Sequence, residues 1–360
     1  MANNHFDLSN LALQCICPNN ELLYDDVGKP SVMVKIPKMT YAQLGVGSST
    51  ATFPAFIING VEKDAIWISK YQNIVENGRA YSLPGKDPAV NITLDTSISR
   101  CVTKGAGWHL MTRWEWALLA LWCKKNGTMP YGNNNYGKDS RESIYQAIPS
   151  CARDGSGNIQ RVATGTGPLT WSHDRTPAGI WDLNGNVWEW VSGIRLVYGE
   201  LQVMTNNNAA IVNTDHSASS SAWKAIKASD GTLITPDGSG TTSGSVKLDY
   251  VSGYFQWDTS ISSKSDSARN CSFEAVTCSS NISAAAQLVL QALGLFKVDT
   301  TSGAYDGDWF YSNNGAAERC FLCGGYWDDG TRAGVFCPNS GNPRSNSNGL
   351  IGFRSAYYEP

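Results

Sequence analysis

The sequence predicts an α+β fold with one strong helix, several short strands and long irregular segments. The helix is expected at residues 112–123, where Thr112 and Glu115 have the spacing of a capping box. Runs rich in β-branched residues at 31–37 and 65–69 predict strands. The chain also holds 35 glycines, 13 tryptophans and 15 tyrosines, which fits irregular segments held by large rings.

The remaining elements follow in chain order. Residues 1–50 are expected to be a lead-in for attachment or subunit contact, and residues 51–360 one elaborated domain. Residues 56–69 predict a hairpin with its turn at 59–61, and residues 95–104 a weak helix. A polar insertion is expected at about 205–280, with short strands at 245–250 and 254–257. A short helix follows at 284–295.

Charge and composition exclude several classes of function. The net charge is -3 and no basic cluster is present, which argues against nucleic acid as a partner. The first residues lack a secretory signal and no apolar run is long enough to cross a bilayer, so no membrane insertion is expected. The ten cysteines are expected to be mostly buried or free thiols, with zinc at Cys320 and Cys323 as the alternative.

The most informative segment is at the C-terminus, residues 321–358. Gly324, Gly325 and Trp327 open it, and the run Ile-Gly-Phe-Arg at 351–354 closes it. Between these ends the residues follow neither the helical nor the strand period. Irregular segments carried by a rigid scaffold often perform recognition, so this segment predicts a binding surface.

A second motif, GxxDxxGNVWEW, occupies residues 179–190, and RWEWA occupies residues 113–117. Together with GGxW and IGFR at the C-terminus, these motifs resemble the formylglycine-generating-enzyme (sulfatase-modifying) branch of the C-type lectin fold. The resemblance covers most of the chain from about residue 55, apart from the polar insertion. It implies an α+β, C-type lectin-like fold of this subtype.

This resemblance also separates enzymes from binding proteins. The oxidases of the branch need two cysteines, five residues apart, shortly after GGxW. Here only Cys337 lies in that window, with Arg332 and Asn342 at the two matching distances. The four histidines are scattered, so a histidine-based iron site is not expected either. We therefore expect no copper and no enzyme, with a divergent oxidase using Cys337 and Cys320 or Cys323 as the alternative.

The C-terminal segment resembles more closely the variable region of proteins diversified by retroelements. In that family adenine-directed replacement of Asn codons yields neither Lys, Glu, Gln, Met nor Trp. Residues 321–358 contain no Lys, Glu, Gln or Met, and their one Trp belongs to the opening motif. The resemblance implies that the diversified, ligand-binding residues are Tyr326, Asp328, Asp329, Thr331, Arg332, Cys337, Pro338, Asn339, Ser340, Gly341 and Asn342, with Phe321 and Cys323 as weaker candidates.

In formylglycine-type relatives the GNVWEW turn holds calcium. Carried over to this chain, the resemblance implies oxygen ligands from the carboxylates of Asp182 and Glu189 and the carbonyls of Gly185 and Val187. Mixed carboxylate and carbonyl oxygens suit this cation. The alternative is that Asp182 caps a turn and Glu189 pairs with an arginine.

Together these resemblances imply a receptor-binding protein of a phage tail, made in the bacterial cytoplasm and carried on the virion. Its expected partners are a protein or glycan ligand on a host cell surface and other virion proteins, and a homotrimer would add avidity. The alternative from the same fold is a fixed calcium-dependent lectin-like domain. The sugar-binding motifs Glu-Pro-Asn and Gln-Pro-Asp of such lectins do not occur here.

Overall fold

The computed structural model describes residues 7–144 and 146–360. Helices form a small part of it. Those described are α1 (Leu8–Ile16), α2 (Leu94–Val102), α3 (Arg113–Asn126) and α4 (Ala284–Ala292). The helices predicted at 95–104, 112–123 and 284–295 are confirmed. None of the described helices is both long and apolar enough to span a membrane.

Helix α3 lies at the centre of the domain. The Thr112 hydroxyl accepts from the Glu115 amide at 3.2 Å, and the Glu115 carboxylate accepts from the Thr112 amide at 2.8 Å. The helix ends at Gly127, whose φ of 67° is the left-handed conformation typical of a helix C-terminus. Ten of its fourteen residues are buried, so α3 is a core helix, as its apolar sequence predicts.

The strands are mostly short. In chain order they are β1 (Asn20–Tyr24), β2 (Pro30–Pro37), β3 (Ile57–Ile58), β4 (Val61–Glu62), β5 (Ala65–Ser69), β6 (Ile74–Glu76), β7 (Arg79–Tyr81), β8 (Trp108–Leu110), β9 (Trp188–Val197), β10 (Glu200–Met204), β11 (Trp223–Ile226), β12 (Leu233–Ile234), β13 (Lys247–Val251), β14 (Tyr254–Asp258), β15 (Arg269–Ser272), β16 (Thr277–Cys278), β17 (Trp309–Ser312), β18 (Arg319–Cys323), β19 (Pro338–Asn342), β20 (Ile351–Phe353) and β21 (Ser355–Tyr357).

One sheet joins the two ends of the described chain. Its strand order is β1-β2-β5-β21-β8, so the C-terminal strand β21 lies between β5 and β8. Strand β2 pairs with β5 over five residue pairs, which makes residues 20–37 part of the domain. This differs from the predicted boundary at residue 50, because the pairing partner is about thirty residues away and local sequence does not reveal it.

The second sheet has twelve strands in the described residues, with β9 near its middle. Its main order is β15-β17-β19-β18-β9-β10-β13-β14-β16. The predicted insertion at 205–280 supplies β11 to β16, and Ile226, Leu248 and Phe255 from these strands are fully buried. The segment is therefore built into the main core, although strands β13 and β14 lie where the sequence predicts them.

The predicted hairpin is shorter than expected. Strands β3 and β4 pair across a turn at Asn59 and Gly60, whose φ values of 51° and 74° suit a tight primed turn. Residues 65–69 do not return to β3. They form β5, which is buried along its whole length between β2 and β21.

The core has two parts that matter for the C-terminal segment. The larger surrounds α3 and includes Trp116, Val335 and Phe336. A second cluster lies under the C-terminal strands and contains Trp188, Trp190, Cys337, Ile351 and Phe353. Both parts bury residues of the 321–358 segment, so the segment is anchored on two sides.

Candidate functional site

The C-terminal segment leaves β18 through two glycines that no other residue could replace without rearrangement. Gly324 and Gly325 have φ values of 95° and 83°. A Cβ at Gly325 would lie 2.4 Å from the Cβ of Ala333. These glycines turn the chain into a loop at 326–329 and a short 3-10 helix (Gly330–Arg332) before it enters β19.

Side chains of this loop and of two neighbouring strands form one accessible surface. The Arg332 guanidinium lies 5.5 Å from the centre of the Trp309 ring, and the Trp309 and Tyr311 rings are 6.2 Å apart. Tyr311 is the strand partner of Asn339 and packs against the same buried cluster as Tyr326. We call these five residues, which are partly or fully exposed, the aromatic face: Trp309, Tyr311, Tyr326, Arg332 and Asn339.

Two members of the aromatic face, Trp309 and Tyr311, were not predicted from the sequence. They belong to β17, where Phe310 between them is buried in the core. Their alternation with Phe310 is the signal of a half-buried strand. Nothing in that pattern indicates that the strand lies parallel to β19, which is the contact that brings both rings to the site.

The predicted ligand-binding residues divide into accessible and buried groups. Residues whose side chains or backbone reach the surface are Tyr326, Asp328, Thr331, Arg332, Asn339, Gly341 and Asn342. Cys337 and Ser340 are 0% exposed, and Pro338 and Asp329 are buried as well. Ser340 forms a hydrogen bond of 2.8 Å with the Ser312 hydroxyl. In this structure the four buried residues support the surface and cannot themselves contact a ligand.

Asp329 organises the loop from inside. One carboxylate oxygen accepts from the Tyr326 amide at 3.0 Å, and the Asp329 carbonyl accepts from the Arg332 side chain at 3.2 Å. Burial raises the pKa of the Asp329 carboxyl to about 7, because few groups compensate its charge away from water. Asp329 thus holds Tyr326 and Arg332 in place.

We expect Asp329→Asn to stabilise the protein at pH 8 by about 1–3 kcal/mol. The folded carboxyl binds a proton more tightly than the unfolded one, so wild-type stability falls as pH rises from about 4 to 7. The asparagine oxygen can still accept from Tyr326. Urea unfolding at pH 5 and pH 8 measures the effect, with the exposed Asp64→Asn as control. A variant less stable than wild type at pH 8 would contradict the assigned pKa direction.

A loop from the first half of the chain supports the turn. The Tyr136 amide donates to the Trp327 carbonyl at 2.9 Å, and the two rings are 5.5 Å apart. The Gly330 amide donates to the Asn134 carbonyl at 2.8 Å. A hydrogen bond with Asp328 raises the pKa of Tyr136 to about 12. Loop 131–137 therefore fixes the outer edge of the predicted variable segment.

The return segment 343–350 is held mainly by Arg344. Its guanidinium donates to Glu318 at 2.7 Å and to Asp95 at 2.8 Å, and also to the His216 carbonyl at 2.9 Å. Two carboxylates and one backbone carbonyl therefore hold this arginine. This part of the segment is anchored rather than free.

The oxygens predicted to hold calcium do converge, with the carbonyl of Asp182 in place of its carboxylate. The group at their centre is the side-chain nitrogen of Gln72, which donates to Glu189 at 3.0 Å and to the Val187 carbonyl at 3.2 Å. It also lies 3.4 Å from the Gly185 carbonyl. A nitrogen that can only donate already lies within 3.4 Å of all four oxygens, so the arrangement does not fit a calcium ion.

The two predicted carboxylates have other partners. Both oxygens of Glu189 accept from Arg354, at 2.7 and 2.8 Å, which is the pairing that the sequence left open as an alternative. One oxygen of Asp182 accepts from the Gly165 amide at 2.9 Å, and burial raises the pKa of this carboxyl to about 6. Across residues 7–144 and 146–360, no three His, Cys, Asp or Glu side chains group as a metal site.

The C-terminal thiols are enclosed. Cys320, Cys323 and Cys337 are each at most 1% exposed, and burial raises the pKa of all three. The Cys323 sulfur also accepts from Arg113 at 2.9 Å. Since the thiolate is the reactive and metal-binding form, these thiols lack the accessible, low-pKa setting that copper or thiol chemistry needs.

The family profile described as "Sulfatase-modifying factor enzyme 1-like domain" matches residues 20–226. No curated protein matches the chain significantly.

Solved structures give a weaker likeness. "Structure of PvdO from Pseudomonas aeruginosa" is 12% identical, with a TM-score of 0.36, and covers 92% of this chain and 95% of its own. The "Major Tropism Determinant" U1 and P3c variants are 12% identical, with TM-scores of 0.31 and 0.32. The chain spans 63% of their length and they cover 91% of this chain. At such scores these likenesses carry no argument about function.

Proposed function

Because the chain belongs to the sulfatase-modifying factor enzyme 1-like family, with its C-type lectin-like fold, we propose that it uses this scaffold for ligand binding and not for catalysis. The observation that carries the proposal is the aromatic face. Its side chains come from β17, β19 and the 326–332 loop, and all three are anchored in the core. A rigid base with accessible rings is what a recognition surface needs.

The chemistry of the aromatic face suits a protein or glycan ligand. Trp309, Tyr311 and Tyr326 offer broad apolar area with few rotatable bonds, so little side-chain entropy is lost on binding. Arg332 and Asn339 add hydrogen-bond donors and an acceptor at the same surface. Aromatic residues and arginine carry much of the binding free energy in known interfaces.

We propose further that this surface is diversified and serves host recognition on a phage virion. The resemblance of residues 321–358 to retroelement-diversified regions supports this, and so does the separation into outward residues and buried supports. Exchange at exposed Thr331 or Arg332 would leave the core untouched. Several copies on a virion, as in a homotrimer, would bind together, so that individually weak sites give strong attachment through avidity.

Two alternatives from the same fold find less support. An oxidase would need accessible thiolates, whereas Cys337 and Cys323 are buried with raised pKa values. A calcium-dependent lectin would need free oxygen ligands, whereas those of Glu189 and Val187 accept hydrogen bonds from Gln72. Neither chemistry uses the aromatic face.

The binding proposal is tested with the labelled protein on a panel of bacterial cells and a glycan array. We expect Trp309→Ala combined with Tyr326→Ala to weaken binding to any positive probe at least tenfold, since both rings leave the face. Tyr24→Ala is the matched control, because Tyr24 is an exposed ring in the other sheet. Equal loss in both variants, or turnover of a thiol substrate by wild type, would overturn the proposal.

Diversification is tested separately on the neighbouring DNA. We expect a near-copy of the sequence that encodes residues 321–358, differing at adenines of the copy, next to a reverse transcriptase gene. If neither is present, the aromatic face belongs to a binding domain of fixed sequence.

A further inference from the structure

We propose that Gln72 takes the place of a metal ion in this scaffold, so that the GNVWEW turn is held together without calcium. The inference rests on the hydrogen bonds around one buried amide. It concerns the base of the fold and does not depend on what the aromatic face binds.

The Gln72 nitrogen is surrounded by acceptors alone. It lies 3.2 Å from the carbonyls of Asp182 and Val187, 3.4 Å from that of Gly185 and 3.0 Å from a Glu189 oxygen. Carbonyl and carboxylate oxygens cannot donate, so the NH2 end of the amide must face them. Gln72 is 0% exposed, so its side-chain nitrogen has no water contact and depends on these acceptors within the described residues.

The opposite end of the amide fixes the same orientation. The Asn186 side-chain nitrogen donates to the Gln72 oxygen at 2.8 Å. The Asn186 oxygen in turn accepts from the Val162 amide at 2.9 Å and from the Asn133 side chain at 3.1 Å. Every amide in this chain of hydrogen bonds therefore has one consistent direction. If the Gln72 amide were reversed, its nitrogen would face the Asn186 nitrogen, and its oxygen would face the carbonyl and carboxylate oxygens.

The Glu189 charge, which a cation would neutralise, is already balanced by an arginine. Glu189 is paired in bidentate fashion with Arg354, and the two side chains are 2% and 0% exposed. Arg354 also donates to the carbonyls of Ser69 and Trp181, each at 3.0 Å. Calcium takes six to eight oxygens at about 2.3–2.6 Å. Here the Gln72 amide and the Arg354 guanidinium already contact the oxygens of Glu189, so an ion would have to displace both groups.

This arrangement lies directly beneath the candidate site. In β9, Glu189 is the register partner of Cys323 in β18 and of Gly352 in β20. The preceding residue, Trp188, contacts Tyr311 of the aromatic face with ring centres 6.0 Å apart. The Gln72 amide and the Arg354 guanidinium thus hold the strand that supports the face, and both donors are side chains of this protein.

The test is the response of thermal stability to calcium. For the wild-type chain we expect the Tm in 5 mM CaCl2 and in EGTA to agree within about 1 °C, and calorimetry to detect no calcium binding. Gln72→Glu replaces the donor by a carboxylate of the same shape. We expect its Tm in EGTA to fall by about 10 °C, and calcium to restore at least half of that loss, because the site then holds only oxygens.

Gln43→Glu is the matched control, since Gln43 is exposed and its side chain acts through an oxygen acceptor. We expect no calcium response in that variant. Stoichiometric calcium binding to wild type, or a Tm that falls in EGTA, would overturn the inference. So would a folded Gln72→Glu chain that ignores calcium. If this variant does not fold, the wild-type measurements and Gln72→Ala, which we expect to be destabilised in EGTA and to recover with calcium, decide the question.

Discussion

Arg354→Ala is expected to lower the free energy of unfolding by about 3–5 kcal/mol. The guanidinium is completely buried and donates to both oxygens of Glu189. Its removal leaves the Glu189 carboxylate in the interior with the Gln72 amide as its one remaining partner among the described residues. Carbonyls of Ser69 and Trp181 lose donors at the same time, and each unsatisfied buried acceptor adds to the cost.

Equilibrium urea unfolding of the full chain measures this loss. Arg332→Ala is the matched control, because this arginine is exposed and we expect its loss to change stability by less than about 0.5 kcal/mol. Arg354→Lys should fall between the two, since a lysine keeps the charge and loses the planar pair of donors.

A second substitution separates charge from packing. In the Arg354→Ala background, Glu189→Gln removes the uncompensated charge, and we expect it to recover part of the lost stability. A double variant that is less stable than Arg354→Ala would show that the pair contributes through shape and not through charge. It would also contradict the reading of Glu189 as a buried ion whose partner is Arg354.

Only part of the hydrogen-bond network around Arg354 and Glu189 can be predicted from the sequence. The RWEWA, GNVWEW and IGFR motifs mark α3, β9 and β20, and the capping box of α3 is legible because all its parts are local. Arg354 and Glu189 belong to two of these motifs, so their importance is visible from the sequence. Their pairing is a contact across 165 positions and only the fold reveals it.

Gln72 is the residue that sequence reasoning could not find. It lies in a short connection after β5, between Tyr71 and Asn73, and belongs to no motif. The expectation of calcium followed from the family resemblance and the oxygens of the turn, and the donor that contacts those oxygens comes from a segment 110 to 117 positions away. The sequence of one turn can indicate which oxygens converge, but it does not show which group from elsewhere in the chain lies between them.

The same limit explains the division within the C-terminal segment. From composition, Asn339, Ser340 and Gly341 look equally variable and equally polar. Pairing of β19 with both β17 and β18 buries Ser340 and leaves its neighbours accessible. The strand period would have predicted this alternation, but Pro338, Ser340 and Gly341 are poor strand formers and concealed it.

Gly185→Ala is the second substitution from which we expect a large effect, about 4 kcal/mol or the loss of folded protein. Gly185 has a φ of 73°, and a Cβ there would lie 2.1 Å from the Asn133 carbonyl oxygen and 2.5 Å from its carbon. That carbonyl accepts from the Asn186 amide at 2.7 Å, so it cannot move away without breaking the turn. The displaced backbone would also carry the Gly185 carbonyl away from Gln72.

Two further glycines divide this cost into its causes. Gly127→Ala has a similar φ of 67° with open space around the Cβ, so it measures the backbone conformation alone, about 1 kcal/mol. Gly155→Ala has open space and no positive φ, and we expect no measurable change in urea unfolding. If Gly185→Ala costs no more than Gly127→Ala, the contact with Asn133 yields easily and the turn is not rigid. A cost several times larger means that loop 131–137 and the GNVWEW turn form one fixed unit. This unit contacts Trp327 through Tyr136 and Gln72 through Asn186.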